Sequence, residues 1–205
     1  MPKLHEHKVK VKKDIVVIEP HRPKITEKIF FLISGIIVSV PMTLLFGTLT
    51  SNFLGNISVI FANILSIIIF TPFIEEFAKA FPLFYRHGET QRSIFILGFL
   101  VGLGFGISEF FLYVFVFDVP FPLRLPGILF HAASTSIVAY GIAKKNPLTF
   151  YLVAVGLHFL NNFSAIFELG TLGIVVANLG AYYLSWRFYN ETSERFIDEN
   201  LNELI

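Results

Sequence analysis

The sequence predicts an all-α fold, a polytopic membrane bundle of about six transmembrane helices. Three observations carry that expectation. Of the 205 residues 54% are hydrophobic and 25 are Phe, with a mean hydropathy of +0.68, and such a chain has too little polar surface to clothe a water-soluble core. The apolar residues fall into runs of the length that spans a hydrocarbon layer of roughly 30 Å. The charged residues collect between those runs and at the two ends.

Residues 29–50 and 53–74 contain no Asp, Glu, Lys or Arg and read as the first two spans. The second is expected to run on past Glu75 and Glu76 towards Arg86. Residues 93–117 are interrupted only by Glu109, and residues 125–143 only by His131. Residues 148–167 carry His158 with Asn161 and Asn162, and residues 169–186 are uncharged and closed by Arg187. The basic opening stretch precedes an apolar run too long for a signal-peptide core and lacking a small-residue cleavage site, so the first span is expected to stay attached.

Lys and Arg orient the bundle. Lys3, Lys8, Lys10, Lys12, Lys13, Arg22, Lys24 and Lys28 precede the first span, Arg86 and Arg92 follow the second, Lys144 and Lys145 the fourth, and Arg187 and Arg195 the sixth. Arg124 marks the opposite side. The positive-inside rule then puts both termini in the cytoplasm of a multi-pass protein, expected in the plasma membrane. The organisation is a basic N-terminal segment over residues 1–24, a transmembrane domain over 25–189, and a polar, weakly helical tail over 190–205. The basic head suits anionic lipid better than nucleic acid. With no Cys in the chain, disulfides, thiolate zinc ligands and a cysteine nucleophile are excluded.

Glu75, Glu76, Lys79, Glu109, His131, His158 and Asn162 all lie within these apolar stretches. Charge in hydrocarbon costs roughly 2.5–3.5 kcal/mol per residue on insertion scales, so such a set reads as a buried functional site. At 1.5 Å per residue, Glu109, His131 and His158 sit roughly 10–15 Å from the non-cytoplasmic ends of their spans and Glu75 nearer 30 Å. One common layer therefore requires the second span to be long, tilted or broken. Thr71-Pro72 is the expected break, because proline removes a donor and clashes with the preceding turn.

Helical phase groups the set further. Gly98, Gly102 and Gly106 form a stripe that includes Glu109, and small residues at this spacing admit a neighbouring backbone, so Glu109 is expected to face protein. His131 with Thr135, and His158 with Asn162, are i, i+4 pairs on single faces. Imidazoles from two helices beside a carboxylate are the ligand types of a zinc site with an open position. Glu75 and Glu76 point about 100° apart. Lys79 can neutralise only one of them, so one acid is expected to bind Lys79 and the other to face the cavity as a candidate general acid or base.

Four segments carry a resemblance: Phe73 to Ala80 with its Glu pair and Lys79, Gly104 to Glu109, His131 to Thr135, and His158 to Asn162. In this order, each in its own hydrophobic stretch, they resemble the motifs of PrsW-type intramembrane proteases, a family similar to the wider CPBP group that includes the CAAX-processing endopeptidases. Lys79 after the Glu pair and Glu109 in the second motif favour the PrsW branch. The resemblance implies hydrolysis of a peptide bond in a membrane-anchored protein substrate. The expected mechanism has Glu75 or Glu76 activate a water, while Glu109, His131 and His158 either hold a zinc ion, which lowers the pKa of water to about 7, or bind the water and developing oxyanion directly. Asn162 is expected to donate to the oxyanion or orient His158, Thr135 to orient His131, and Lys79 to support the Glu pair. Two other classes use similar residues: a proton-coupled transporter, which would more often show inverted repeats, and a non-catalytic membrane scaffold.

Overall fold

A computed structural model describes residues 9–12, 15–18, 21–53, 58–85, 90–167 and 171–197. From Ile25 to Glu191 the described residues are helical apart from short connections, as the apolar runs require where lipid offers no hydrogen bonds to the backbone. Before it lies one departure from the all-α expectation, an antiparallel pair of strands, β1 Val9–Lys12 and β2 Ile15–Ile18, with Val9 opposite Ile18 and Lys12 opposite Ile15. Its cause is legible in the β-branched alternation of Val9-Lys10-Val11-Lys12 and the run Ile15-Val16-Val17-Ile18.

The helices are α1 (Ile25–Phe53), α2 (Val59–Leu65), α3 (Thr71–Ala80), α4 (Gln91–Phe115), α5 (Phe121–Ala143), α6 (Pro147–Ile166) and α7 (Thr171–Glu191). A π-helical segment, Ser66–Phe70, joins α2 to α3, and a 3₁₀ turn, Phe81–Tyr85, follows α3. Among the described residues four helices are long and apolar enough to cross a membrane: Ile60–Tyr85, Gln91–Phe115, Phe121–Ala143 and Pro147–Ile166. The protein is an integral membrane protein. The expected break at Thr71-Pro72 takes the form of a π widening within a continuous helix: the Thr71 N–H bonds the Ser66 carbonyl, five residues back, and Pro72 sits in the first turn of α3.

α4 and α5 form the buried centre. α1 lies on α4, α6 and α7 on α5, and α3 between α1 and α6. Glycines set these approaches. A Cβ on Gly35 would lie 2.0 Å from the Val101 carbonyl oxygen and one on Gly104 2.0 Å from that of Leu32, so α1 and α4 meet backbone to backbone. The Gly98, Gly102 and Gly106 stripe faces α5: a Cβ on Gly102 would stand 2.2 Å from the His131 carbonyl oxygen, and one on Gly106 2.7 Å from Ile128 Cα. Phe31, Leu83, Leu97, Val101 and Ala139 fill the space beside these contacts.

The expected weakly helical tail is helical only to Glu191, the end of α7, among the described residues. Residues 192–197 fold back onto the start of α4, where Gln91 N–H bonds the Arg195 carbonyl, Arg92 N–H bonds that of Ser193, and Phe196 is buried. Gly102→Ala should lower the thermal midpoint of the detergent-solubilised protein by the equivalent of about 1–3 kcal/mol. Gly156→Ala, where nothing lies within 4 Å of the added carbon, should leave the midpoint unchanged or slightly raised. Equal midpoints for the two would contradict the close α4–α5 approach.

Candidate metal centre

α3 carries Glu75, Glu76 and Lys79, all buried, against His131 and Ser134 of α5 and His158 of α6. Lys79 is the hub. Its Nζ donates to Glu76 Oε1 at 2.5 Å, to His131 Nδ1 at 3.0 Å and to Ser134 Oγ at 3.2 Å, and lies 5.1 Å from the centre of the Phe105 ring. The ammonium thus has partners for its three protons, which is the condition for keeping it in a low-dielectric interior.

The two acids part as their 100° offset requires. Glu76 Oε1 also accepts from Ser134 Oγ at 3.2 Å and from His158 Nδ1 at 2.9 Å. Glu75 instead turns its Oε2 towards His158 Nε2, 3.7 Å away and too far for a hydrogen bond. Glu75 Oε2 and Glu76 Oε2 are both buried and lack a hydrogen-bond partner.

Donor roles in the rings follow from their neighbours. An ammonium only donates, so His131 accepts at Nδ1 and gives its Nε2 proton to Glu109 Oε2, 2.6 Å away. A carboxylate only accepts, so His158 donates from Nδ1 to Glu76, which leaves Nε2 as the ring nitrogen facing Glu75. A ring nitrogen and a carboxylate oxygen then face one another, 3.7 Å apart, across a space that a proton or a cation can share. One donor atom from each of Glu75, His131 and His158 lies within 4.8 Å of the others, and a carboxylate with two imidazoles is a zinc-type donor set. The donor types fit a divalent metal ion, for which His131 would exchange its Nδ1 contact with Lys79 for the ion while Nε2 keeps its bond to Glu109. The His131 and His158 rings are 5.5 Å apart, with Phe130 edge-on to both and Phe105 5.0 Å from His131. This apolar packing keeps the polar cluster compact.

The ligand-type residues gathered here differ from the expected set in one member. Glu109 meets the centre through His131 and is paired on its outer side with Arg124 Nη2 at 3.3 Å, while Glu75 faces the two histidines. Thr135 bonds the His131 backbone carbonyl at 2.9 Å, with no bond to the ring. Asn162 Nδ2 donates to the Ile67 carbonyl at 3.0 Å, on the π segment. Arg124, whose guanidinium also lies 3.6 Å over the Tyr113 ring, shows in the sequence only as an orientation marker. Its position near the start of α5, two residues before Pro126, gives no hint of a partner on α4; the signal available is a single basic residue on that side. Ser134 bridges Lys79 and Glu76.

A family model described as PrsW family intramembrane metalloprotease matches residues 25–187. No curated protein and no solved structure matches the chain. Replacing Lys79 by Met should destabilise the detergent-solubilised protein by about 3–5 kcal/mol, because it strands a buried carboxylate. The double variant Lys79→Met with Glu76→Gln should be less damaged than that single change, a non-additivity that denaturant or thermal unfolding would detect. Strictly additive losses would show that the pair is not coupled.

Proposed function

Because the chain belongs to the PrsW family of intramembrane metalloproteases, we propose that it is an intramembrane endopeptidase that hydrolyses a peptide bond in a membrane-anchored protein, with Glu75, His131 and His158 as the ligands of a zinc ion. The observation that carries this reading is the buried convergence of Glu75, His131 and His158, one donor atom of each within 4.8 Å of the others, with Glu75 Oε2 3.7 Å from His158 Nε2. Such a pair is stable only beside a cation or a shared proton. Zinc at this position would polarise the scissile carbonyl and acidify the attacking water.

The surrounding groups then have defined tasks. Glu76 holds His158 through Nδ1, which aims Nε2 at Glu75. Its second oxygen, Oε2, has no donor and is the acceptor we assign to the proton leaving the water. Lys79 compensates the charge of Glu76, and Glu109, backed by Arg124, holds the His131 ring through Nε2. Around this centre we assign six membrane spans, α1 and α7 joining the four long apolar helices, with both termini in the cytoplasm of a plasma-membrane protein. The basic residues flanking the spans support that orientation.

Glu75→Gln, His131→Ala and His158→Ala should each lower cleavage of a membrane-anchored reporter by on the order of a hundredfold or more, beyond the loss usual for groups outside the ligand set. Each should also lower the zinc content of purified protein measured by elemental analysis. Wild-type cleavage by all three variants would sink the proposal. Full activity in metal-free protein would instead leave a hydrolysis driven by the glutamates alone.

A further inference from the structure

We propose that Asn162 is a positioning residue: it supplies the hydrogen-bond donor that Pro72 lacks, and so holds the π-helical segment that turns Glu75 and Glu76 into the bundle. The proposal rests on the hydrolytic reading of the Glu75, His131 and His158 cluster.

The Ile67 carbonyl has lost both of its main-chain donors. In an α-helix it would accept from the N–H of Thr71, but that N–H bonds the Ser66 carbonyl. In the wider π register its donor would be residue 72, which is proline and has no N–H. Ile67 is exposed on the lipid-facing side of the span, with 45% of its surface open. No water in the hydrocarbon core can take the place of the missing donor. Asn162 fills it from α6, its Nδ2 3.0 Å from the carbonyl oxygen. α6 grips the span a second time on the far side of Pro72, where the Tyr151 hydroxyl donates to the Phe73 carbonyl at 2.8 Å.

The π segment matters because of phase. A π turn accommodates one residue more than an α turn, and one residue rotates everything after it by about 100°. Glu75, Glu76 and Lys79 follow the segment on α3, with Glu75 five residues after Phe70. Relaxing it to regular α-helix would swing them away from the face that meets His131, Ser134 and His158. Asn162 lies four residues from His158 on the same helix, so α6 contributes both a ligand-type imidazole and the clasp that brings the Glu pair to it. The amide is thereby engaged with backbone and acts through the Glu pair, with no contact to the reacting atoms.

The test uses the full chain in detergent as wild type, Asn162→Ala, Pro72→Ala and the double variant, with three readouts: zinc retained against a chelator, cleavage of a membrane-anchored reporter, and thermal midpoint. Asn162→Ala should lose zinc affinity and cleavage together, each on the order of tenfold or more, and unfold at lower temperature. Pro72→Ala returns an N–H to position 72, so the loss caused by Asn162→Ala should be much smaller in that background. An Asn162→Ala protein with wild-type zinc retention and midpoint but no cleavage would assign Asn162 to the chemistry and overturn the proposal, even where Pro72→Ala is itself impaired. Unchanged behaviour in all three readouts would overturn it as well. Wild-type protein that neither holds zinc nor cleaves would remove the hydrolytic reading alone; coupling of the two positions in thermal midpoint would still support the clasp, and additive losses would refute it.

Discussion

The buried ion pair between Lys79 and Glu76 is the interaction on which the rest of the centre depends. A lone ammonium or carboxylate in a bilayer interior is costly, and neither member is exposed, with both side chains at 0%. The pair is tolerated because each charge is hydrogen-bonded beyond its partner: Lys79 to Ser134 and His131, Glu76 to Ser134 and His158. Those same bonds fix the two imidazoles. Charge compensation and the orientation of the histidines are therefore one network, seen from its acids or from its rings.

That network needs three backbones at close range, and the chain provides this by omission. Glycines on α4 remove the side chains that would hold α5 away from it, so that Glu109 reaches His131 across the interface. Proline removes a donor in the second long span, and the π segment is the local geometry that absorbs the loss. Both devices are backbone effects. They decide where α3 and α5 lie before any charge is placed on them, and the polar side chains then select one rotation of each helix.

Much of the centre was legible because polar residues in long apolar runs are conspicuous. Glu75, Glu76, Lys79, Glu109, His131 and His158 each stand out against their spans, and the structure gathers all six. The separation of the Glu pair, one acid on Lys79 and one towards the histidines, also follows from helix geometry, because adjacent residues cannot share a face. The order of these motifs led to the PrsW family, which matches most of the chain. Less legible were pairings between spans. Arg124 and Glu109 are 15 positions apart on different helices, and nothing in a one-dimensional pattern distinguishes a basic residue at a membrane rim from one that reaches back to a buried acid. The strand pair before α1 is hard to read in the sequence because its short alternation lies in a lysine-rich segment.

The sequence by itself determined that the chain is a membrane protein, where its helices run, and which side chains must find partners away from lipid. These follow from transfer free energies and helical period, which act residue by residue. Only the tertiary structure decided which partners they find: Glu75 facing His131 and His158 while Glu109 supports His131, and Asn162 on the backbone of Ile67. The reason is that such choices turn on relative rotation and depth of separate helices. A single π turn shifts these by about 100°, and only the packing of α3 against α5 and α6 can hold it.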